Sequence, residues 1–272
     1  VKGQIELFPS GSVLPIGTDG NLFTGFTFVT FPNGVIGTPG KVEHQTAVDF
    51  SVSYQGIVEH VLRLSAGGKY SRTEYSERKN FGPGVLENPA NGQIVSGTLT
   101  DVGGTPHIYM PNTTRELWYI SLQDEWGFKP KWNFTGGVRY DHYDDFGGTV
   151  NPRAALVWET RYNLTTKLMY GRAFRAPSFS EQYSQNNPAV KGKSDIKPET
   201  IETFELAFEF QPVSQLNTRF NLYSYNLDDV IEVVTMPSGV GEYQNARDQD
   251  GHGFELEMDW QVSDTLDLNA NC

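Results

Sequence analysis

Cysteine is almost missing from this chain. Cys272, the last of 272 residues, is the sole one. No internal disulfide and no thiolate metal site can form, so a secreted disulfide scaffold is excluded. Long hydrophobic runs are missing as well. Ala154-Ala155-Leu156-Val157-Trp158 is among the longest, far short of the ~18–20 residues of a membrane-spanning helix. Basic charge is scarce: Lys+Arg 21 against Asp+Glu 33 gives a net charge of −12. Without basic clusters, nucleic acid is not an expected partner. Motifs for a nucleophilic serine elbow, a phosphate loop or a His-Glu-Xaa-Xaa-His helix do not occur, and the five histidines lack metal-ligand spacing. No enzyme activity, metal or cofactor is therefore expected. Val1-Lys2-Gly3 is neither an initiator Met nor a signal peptide, and the chain stops inside an alternating segment. A longer parent protein is expected.

What is present is aromatic residues (13%), glycine (28 residues) and alternation of period two. Val48, Phe50, Val52 and Tyr54 alternate with polar neighbours. So do Leu62 to Tyr70, Trp132 to Tyr140, Phe204 to Phe210 and Phe254 to Trp260. Weaker versions occupy about 115–126, 150–158, 163–172, 216–227 and 265–272. Strict alternation marks strands with one apolar face. The pattern predicts about ten strands, most near ten residues long, and no amphipathic helix stripe. Short connections (54–58, 127–131, 159–163, 211–215, 262–265) alternate with longer ones (71–114, 142–149, 173–199, 228–251). An antiparallel wall with confined turns at one end and functional loops at the other has this asymmetry, as transmembrane β-barrels do.

Tryptophan placement points the same way. Trp126, Trp132, Trp158 and Trp260 sit at or beside the short turns, as an interfacial aromatic girdle would. Tyr70, Tyr140, Tyr170 and Tyr143 lie near the long-loop ends and predict an upper girdle. Arg63, Lys69, Arg139, Glu205, Glu209, Glu255, Glu257 and Asp259 share the opposite, inward parity. Burying them in a dry core would cost several kcal/mol each unless paired, so that face must meet water. Asp124 breaks the pattern by sharing the parity of Ile120 and Leu122. Alternation alone also fits a soluble, carbohydrate-binding β-sandwich. Strand length, loop asymmetry and the tryptophan level favour the membrane.

Three ordered blocks carry a family likeness. The first is Ser121-Leu122-Gln123-Asp124-Glu125-Trp126, then Thr135-Gly136-Gly137-Val138-Arg139-Tyr140-Asp141, then Asn151-Pro152-Arg153. The second is Phe174-Arg175-Ala176-Pro177, then Asp195-Ile196-Lys197-Pro198-Glu199-Thr200. The third is Tyr243-Gln244-Asn245-Ala246, then Gly253-Phe254-Glu255-Leu256-Glu257. Together they resemble the C-terminal barrel of TonB-dependent outer-membrane receptors. The resemblance implies an all-β, antiparallel transmembrane β-barrel, with the ten strands here forming part of a larger barrel of the 22-stranded type. Residues 1–272 are then a partial barrel: an outer loop and possible strand over 1–43, then strands over 44–272. The plug domain that fills such barrels and contacts the TonB complex is absent. The implied function is TonB-energised import of a ferric siderophore or similar scarce nutrient across the outer membrane of a Gram-negative bacterium. The lipid bilayer and an iron chelate are the implied partners, the chelate as cargo rather than cofactor. Haem receptors share Phe-Arg-Ala-Pro but have a following His, which is lacking between Pro177 and Asp195, so an iron–siderophore cargo leads. A passive porin or adhesin barrel is the alternative within membranes.

Candidate contacts to cargo or plug are Arg172 and Arg175 at a strand end, Arg139 and Arg153 on the inward parity, and His107 in the 71–114 connection. Each arginine has a plainer reading as one half of a structural ion pair. Asp141, Asp144 and Asp145 form an acidic outer loop that lacks a full calcium-loop pattern.

Overall fold

A computed structural model describes residues 3–187, 189–237 and 239–272. The strands, in chain order, are β1 (Ile5–Phe8), β2 (Ser12–Ile16), β3 (Thr27–Phe31), β4 (Val35–Tyr54), β5 (His60–Lys79), β6 (Thr100–Asp101), β7 (Thr113–Lys129), β8 (Trp132–Tyr143), β9 (Gly147–Arg161) and β10 (Leu164–Arg175). After a one-turn helix α1 (Phe179–Tyr183) come β11 (Val190–Lys191), β12 (Glu199–Val213), β13 (Leu216–Thr235), β14 (Gly241–Ser263) and β15 (Leu266–Asn271). Ten of these, β4, β5, β7 to β10 and β12 to β15, pair antiparallel with their chain neighbours in one continuous sheet.

The register keeps each face chemically uniform across strands. One row reads Phe50, Ala66, Ile120, Tyr140, Val150, and the next reads Ser51, Ser65, Ser121, Arg139, Asn151. A slip of one residue would exchange the faces, so the pattern itself pins the register. The apolar face has no second layer against it: Phe50, Phe204 and Phe254 are 70%, 56% and 60% exposed. A soluble sandwich would have covered them. The sheet is open, with β15 at one edge and the lower part of β4 at the other unpaired among the described residues.

The strands are longer than their alternating stretches. β13 and β14 run for 20 and 23 residues, where a tilted crossing needs ~9–11. The expected outer connections 142–149 and 228–251 are therefore largely strand, reduced to residues 144–146 and 236–240. Hydrogen bonding continues into water because these upper segments pair with each other, and the alternation fades there because neither face meets lipid.

The 1–43 segment also differs from an outer loop with one possible strand. It holds β1, the β2–β3 hairpin and the start of β4. The molecule's dry core lies here, in a cap at the long-loop end. Ile16, Leu22, Val29, Phe31 and Val35 pack with Phe81 and Leu86 from the β5–β7 connection. Asn80, fully buried, ties the cap by accepting from the Ile36 amide at 2.9 Å and donating to the Gly34 carbonyl at 3.0 Å.

Candidate functional site

The aromatic residues expected to form a girdle near the short turns are arranged as pairs. Trp132 and Trp158 face each other across β8 and β9 and stack at 4.7 Å. Trp126 stacks on His60 at 5.3 Å. That histidine accounts for Asp124: its Nδ1 lies 2.7 Å from the Asp124 carboxylate. The outward carboxylate thus has a hydrogen-bonding partner on its own face. Trp260 is 40% exposed at the foot of β14. At the other end Tyr140 packs on Trp118, Tyr170 on Phe204 at 4.8 Å, and Tyr70 is exposed on β5. Tyr143 does not belong with them. Three residues from Tyr140, it has the inward parity and lines a cavity.

That cavity, of about 520 Å³, opens at the long-loop end of the inner face. Tyr75, Tyr109, Tyr143 and Phe179 supply aromatic faces, and Lys69 and Arg115 supply positive charge. Arg115 organises one side. Its guanidinium donates to Asp145 at 2.7 Å and to Gln182 at 2.6 Å, and lies 4.6 Å from the centre of the Phe179 ring. It thereby joins β7, the β8–β9 turn and α1. Glu43, also at the cavity, is paired with Lys41 at 3.5 Å.

The opposite side is a strap, residues 102–112, held by a buried ion pair. Lys79, fully buried, lies 3.5 Å from Glu77 and donates to the His107 carbonyl at 2.7 Å. Glu77 accepts from the Tyr109 amide at 2.8 Å. Burial pushes the Glu77 carboxyl up, against the pull of Lys79, and pushes the Lys79 ammonium down, against the pull of Glu77. Tyr109 meets Tyr75 edge-on at 5.7 Å. Burial, with Tyr75 and Glu77 adding to it, pushes the Tyr109 phenol up to about 12, so Tyr109 remains a hydrogen-bond donor at neutral pH. Gln185 and Asn186 also bind the strap, at the Ile108 carbonyl. Both rims of the cavity are thus one connected loop assembly.

The arginines singled out from sequence divide into different environments. Arg175 donates to Glu199 at 2.6 Å and to Glu181 at 3.0 and 3.1 Å. Hydrogen bonding to these two carboxylates raises its pKa, and the guanidinium is committed to structure. Arg172 differs from Arg175 in parity. The register sets it opposite Glu202, one pair beyond Tyr170 and Phe204 on the outward side, with 3.7 Å between the charges. It nonetheless borders a cavity on the inner wall together with Arg139 and Arg153. Arg139 faces inward and lies over the Tyr119 ring at 3.7 Å while gripping Asp141. Tyr119 in turn donates to Asp49 at 2.5 Å; Gly67 permits this, since a Cβ there would meet the Tyr119 ring at 2.7 Å. Arg153 faces inward and bonds only the neutral Gln123 amide oxygen. The His107 ring packs on Gly84, and His107 does not line the cavity. Of the acidic outer loop, Asp141 serves Arg139, Asp145 serves Arg115, and Asp144 accepts the Glu116 amide at 2.9 Å. Among the described residues no group of three His, Cys, Asp or Glu is placed to hold a metal ion.

Tyr75, Tyr109, Phe179 and Arg115 carried no sequence signal as a group, because they come from four separate segments. Tyr143 carried one: its parity is opposite to that of Tyr140.

An open antiparallel wall with one exposed apolar side, aromatic residues toward both ends and a loop-built cavity has the form of part of an outer-membrane β-barrel. The profile of the family described as TonB dependent receptor-like, beta-barrel matches residues 12–271, and the chain belongs to that family. Its members are transport receptors of the Gram-negative outer membrane, not enzymes. The iron-regulated outer membrane virulence protein of Vibrio cholerae is 24% identical over 232 residues, covering 79% of this chain and 32% of its own length. The vitamin B12 transporter of the same species is 26% identical over 115 residues, covering 42% of this chain and 18% of its own. The solved siderophore receptor PirA of Pseudomonas aeruginosa superposes with a TM-score of 0.64 at 16% identity, covering 87% of this chain and 42% of its own. The chain thus spans about a third of the length of its Vibrio iron-regulated relative.

Proposed function

We propose that this chain is the C-terminal part of a larger closed barrel, of the 22-stranded type, that imports an anionic ferric siderophore using energy delivered through TonB. The open edges at β4 and β15 would be closed by the rest of the barrel, since unpaired strand edges are not tolerated in lipid. A plug and its TonB contact would come from that same remainder. The observation that carries the cargo assignment is the mouth cavity. Aromatic faces beside Lys69 and Arg115 suit a chelate with flat, conjugated arms and net negative charge. The iron arrives inside the chelate and needs no protein ligand, in keeping with a mouth built from tyrosines and cations.

The test is binding by the full-length receptor in detergent, read by quenching of its tryptophans. A panel of ferric catecholate, hydroxamate and carboxylate chelates is compared with haem and cobalamin. Submicromolar binding of one iron chelate, and its uptake only in cells with a functional TonB, is the expected result. Binding of haem or cobalamin alone would overturn the siderophore assignment, and uptake independent of TonB would return the barrel to the passive-pore class.

A further inference from the structure

Three side chains of one parity at the top of β5, Tyr75, Glu77 and Lys79, hold the strap 102–112. The Tyr75 ring meets the Tyr109 ring, the Glu77 carboxylate accepts the Tyr109 amide, and the Lys79 ammonium donates to the His107 carbonyl. The strap begins beside the β6 pairing of Asp101 with Arg78 and ends at Asn112, whose side chain accepts the Tyr75 amide at 2.8 Å. From the far side, the Gln185 amide donates to the Tyr109 carbonyl at 2.8 Å, and the Asn186 side chain donates to the Pro106 carbonyl at 2.6 Å. With the Ile108 carbonyl bonded by Gln185 and Asn186, every carbonyl from Pro106 to Tyr109 has a partner outside the strap. A segment with no sheet or helix of its own is thus fixed group by group.

The ion pair beneath the strap is a poor choice for stability alone. Val102, Ile108 and Met110 already anchor the strap as buried apolar side chains, and Glu77 and Lys79 are buried as deeply. A buried ion pair gives little net stability over apolar side chains of similar volume, because both charges lose their water. What it does supply is direction: each charge fixes one backbone group of the strap, which an apolar side chain could not do. The residue fixed in this way is Tyr109, which lines the mouth cavity, whereas Glu77 and Lys79 do not. The Tyr109 hydroxyl makes no hydrogen bond among the described residues. Burial keeps the phenol protonated through neutral pH, so an uncommitted donor stands at the cavity wall.

We propose that Glu77 and Lys79 are positioning residues for cargo binding: without touching the cargo, they fix Tyr109 so that its hydroxyl donates to an oxygen of the chelate. The inference rests on the reading of this cavity as the cargo's mouth. Ordering the strap before the cargo arrives removes that cost from the binding step.

The experiment uses the full-length receptor in detergent, with ferric chelate binding read by tryptophan quenching. Tyr109→Phe should weaken binding about tenfold, the loss of one donor to a charged acceptor. Glu77→Leu combined with Lys79→Met removes both charges at similar volume, so heat-modified migration and melting temperature should be kept. The same double change should nevertheless weaken binding about tenfold and speed amide exchange over residues 105–111. Made in the Tyr109→Phe background, it should weaken binding less than about threefold further, because its effect runs through that hydroxyl. Wild-type binding by the double variant, or an equal loss with and without the Tyr109 hydroxyl, would overturn the proposal. Should the double variant fail to fold, Glu77→Gln is compared with Glu77→Ala. Glutamine still accepts the Tyr109 amide and should bind severalfold more tightly than alanine; equal binding would overturn the proposal as well. If wild type takes haem or cobalamin and no ferric chelate, the cargo assignment fails, and the same comparison with the ligand that binds still decides the role of the pair. Binding of none of them would defeat both readings.

Discussion

Asn245 on β14 and Lys197, just before β12, exchange two hydrogen bonds. The Lys197 amide donates to the Asn245 side-chain oxygen at 2.9 Å, and the Asn245 side-chain amide donates back to the Lys197 carbonyl at 3.0 Å. The same amide nitrogen reaches the Asp229 carbonyl at 2.7 Å, at the bulge in β13. Two blocks of the family likeness, one around Lys197 and one around Asn245, are thereby a single clasp that fixes how the 176–198 connection returns to the wall. Asn245→Ala strands one backbone donor and two acceptors, at about 1–3 kcal/mol for each group left dry. Faster amide exchange over residues 192–199, with the rest of β14 unchanged, is the expected result in the full-length receptor. Unchanged exchange there would show that the clasp is ornamental.

Acid should open the same connection from its other end. Hydrogen bonding to Arg175 holds the Glu199 carboxyl below its ordinary value of 4.5. Glu181 is also held low: burial works to raise it, and the bonds from Arg175 and Ser178 outweigh that. A depressed carboxylate contributes stability that is complete above about pH 4.5 and is lost as pH falls through the lower folded value. Protease cleavage within 176–198 should therefore stay slow at neutral pH and accelerate below about pH 4.5. Glu199→Gln should remove much of that acid dependence while raising the neutral rate.

The membrane wall was legible because one solvent boundary runs along each face. Phe204, Leu206, Phe208 and Phe210 alternate with Thr203, Glu205 and Glu209 for as long as lipid lies on one side and water on the other. Above the girdle that constraint ends. Ser76-Glu77-Arg78-Lys79 looks like a solvated charge run, yet Lys79 is fully buried because a strap some thirty residues later covers it. No local pattern encodes that cover. Arg115 is similar: its partners Asp145 and Gln182 lie 30 and 67 residues away. Tyr143 was within reach of parity alone, and so was Arg172, whose register with Glu202 follows from counting two residues on from Tyr170.

Facing can be tested by one pair of substitutions. Phe208 is opposite Phe220 on the outward side, and its neighbour Glu209 pairs with Lys167 at 2.9 Å and Arg219 at 3.6 Å on the inward side. Phe208→Arg puts a charge in hydrocarbon and should lower refolding stability in bilayers by ~2–4 kcal/mol. Glu209→Gln removes half-exposed ion pairs and should cost ~1 kcal/mol or less. Equal losses would mean that the apolar face does not meet lipid.

Arg115 offers the sharpest test of the mouth. Asp145, 7% exposed at its side chain, has Arg115 as its cation at 2.5 Å, and α1 is held to the cavity by the Gln182 bond and the Phe179 ring. Arg115→Gln leaves Asp145 without a countercharge, a loss of ~3–5 kcal/mol when such a pair is fully buried. Here the strain can be relieved by letting the 144–146 turn and α1 swing away, because neither belongs to the wall. The expected outcome is a barrel that folds and migrates normally, exchanges amides faster over 179–183, and binds ferric chelate at least tenfold more weakly. Arg115→Lys keeps a charge beside Asp145 but cannot also reach Gln182 in the plane of Phe179, so its affinity should fall between the two. Wild-type affinity in Arg115→Gln, with α1 loosened, would separate the helix from cargo binding and move the site to the Tyr75–Tyr109 side of the cavity.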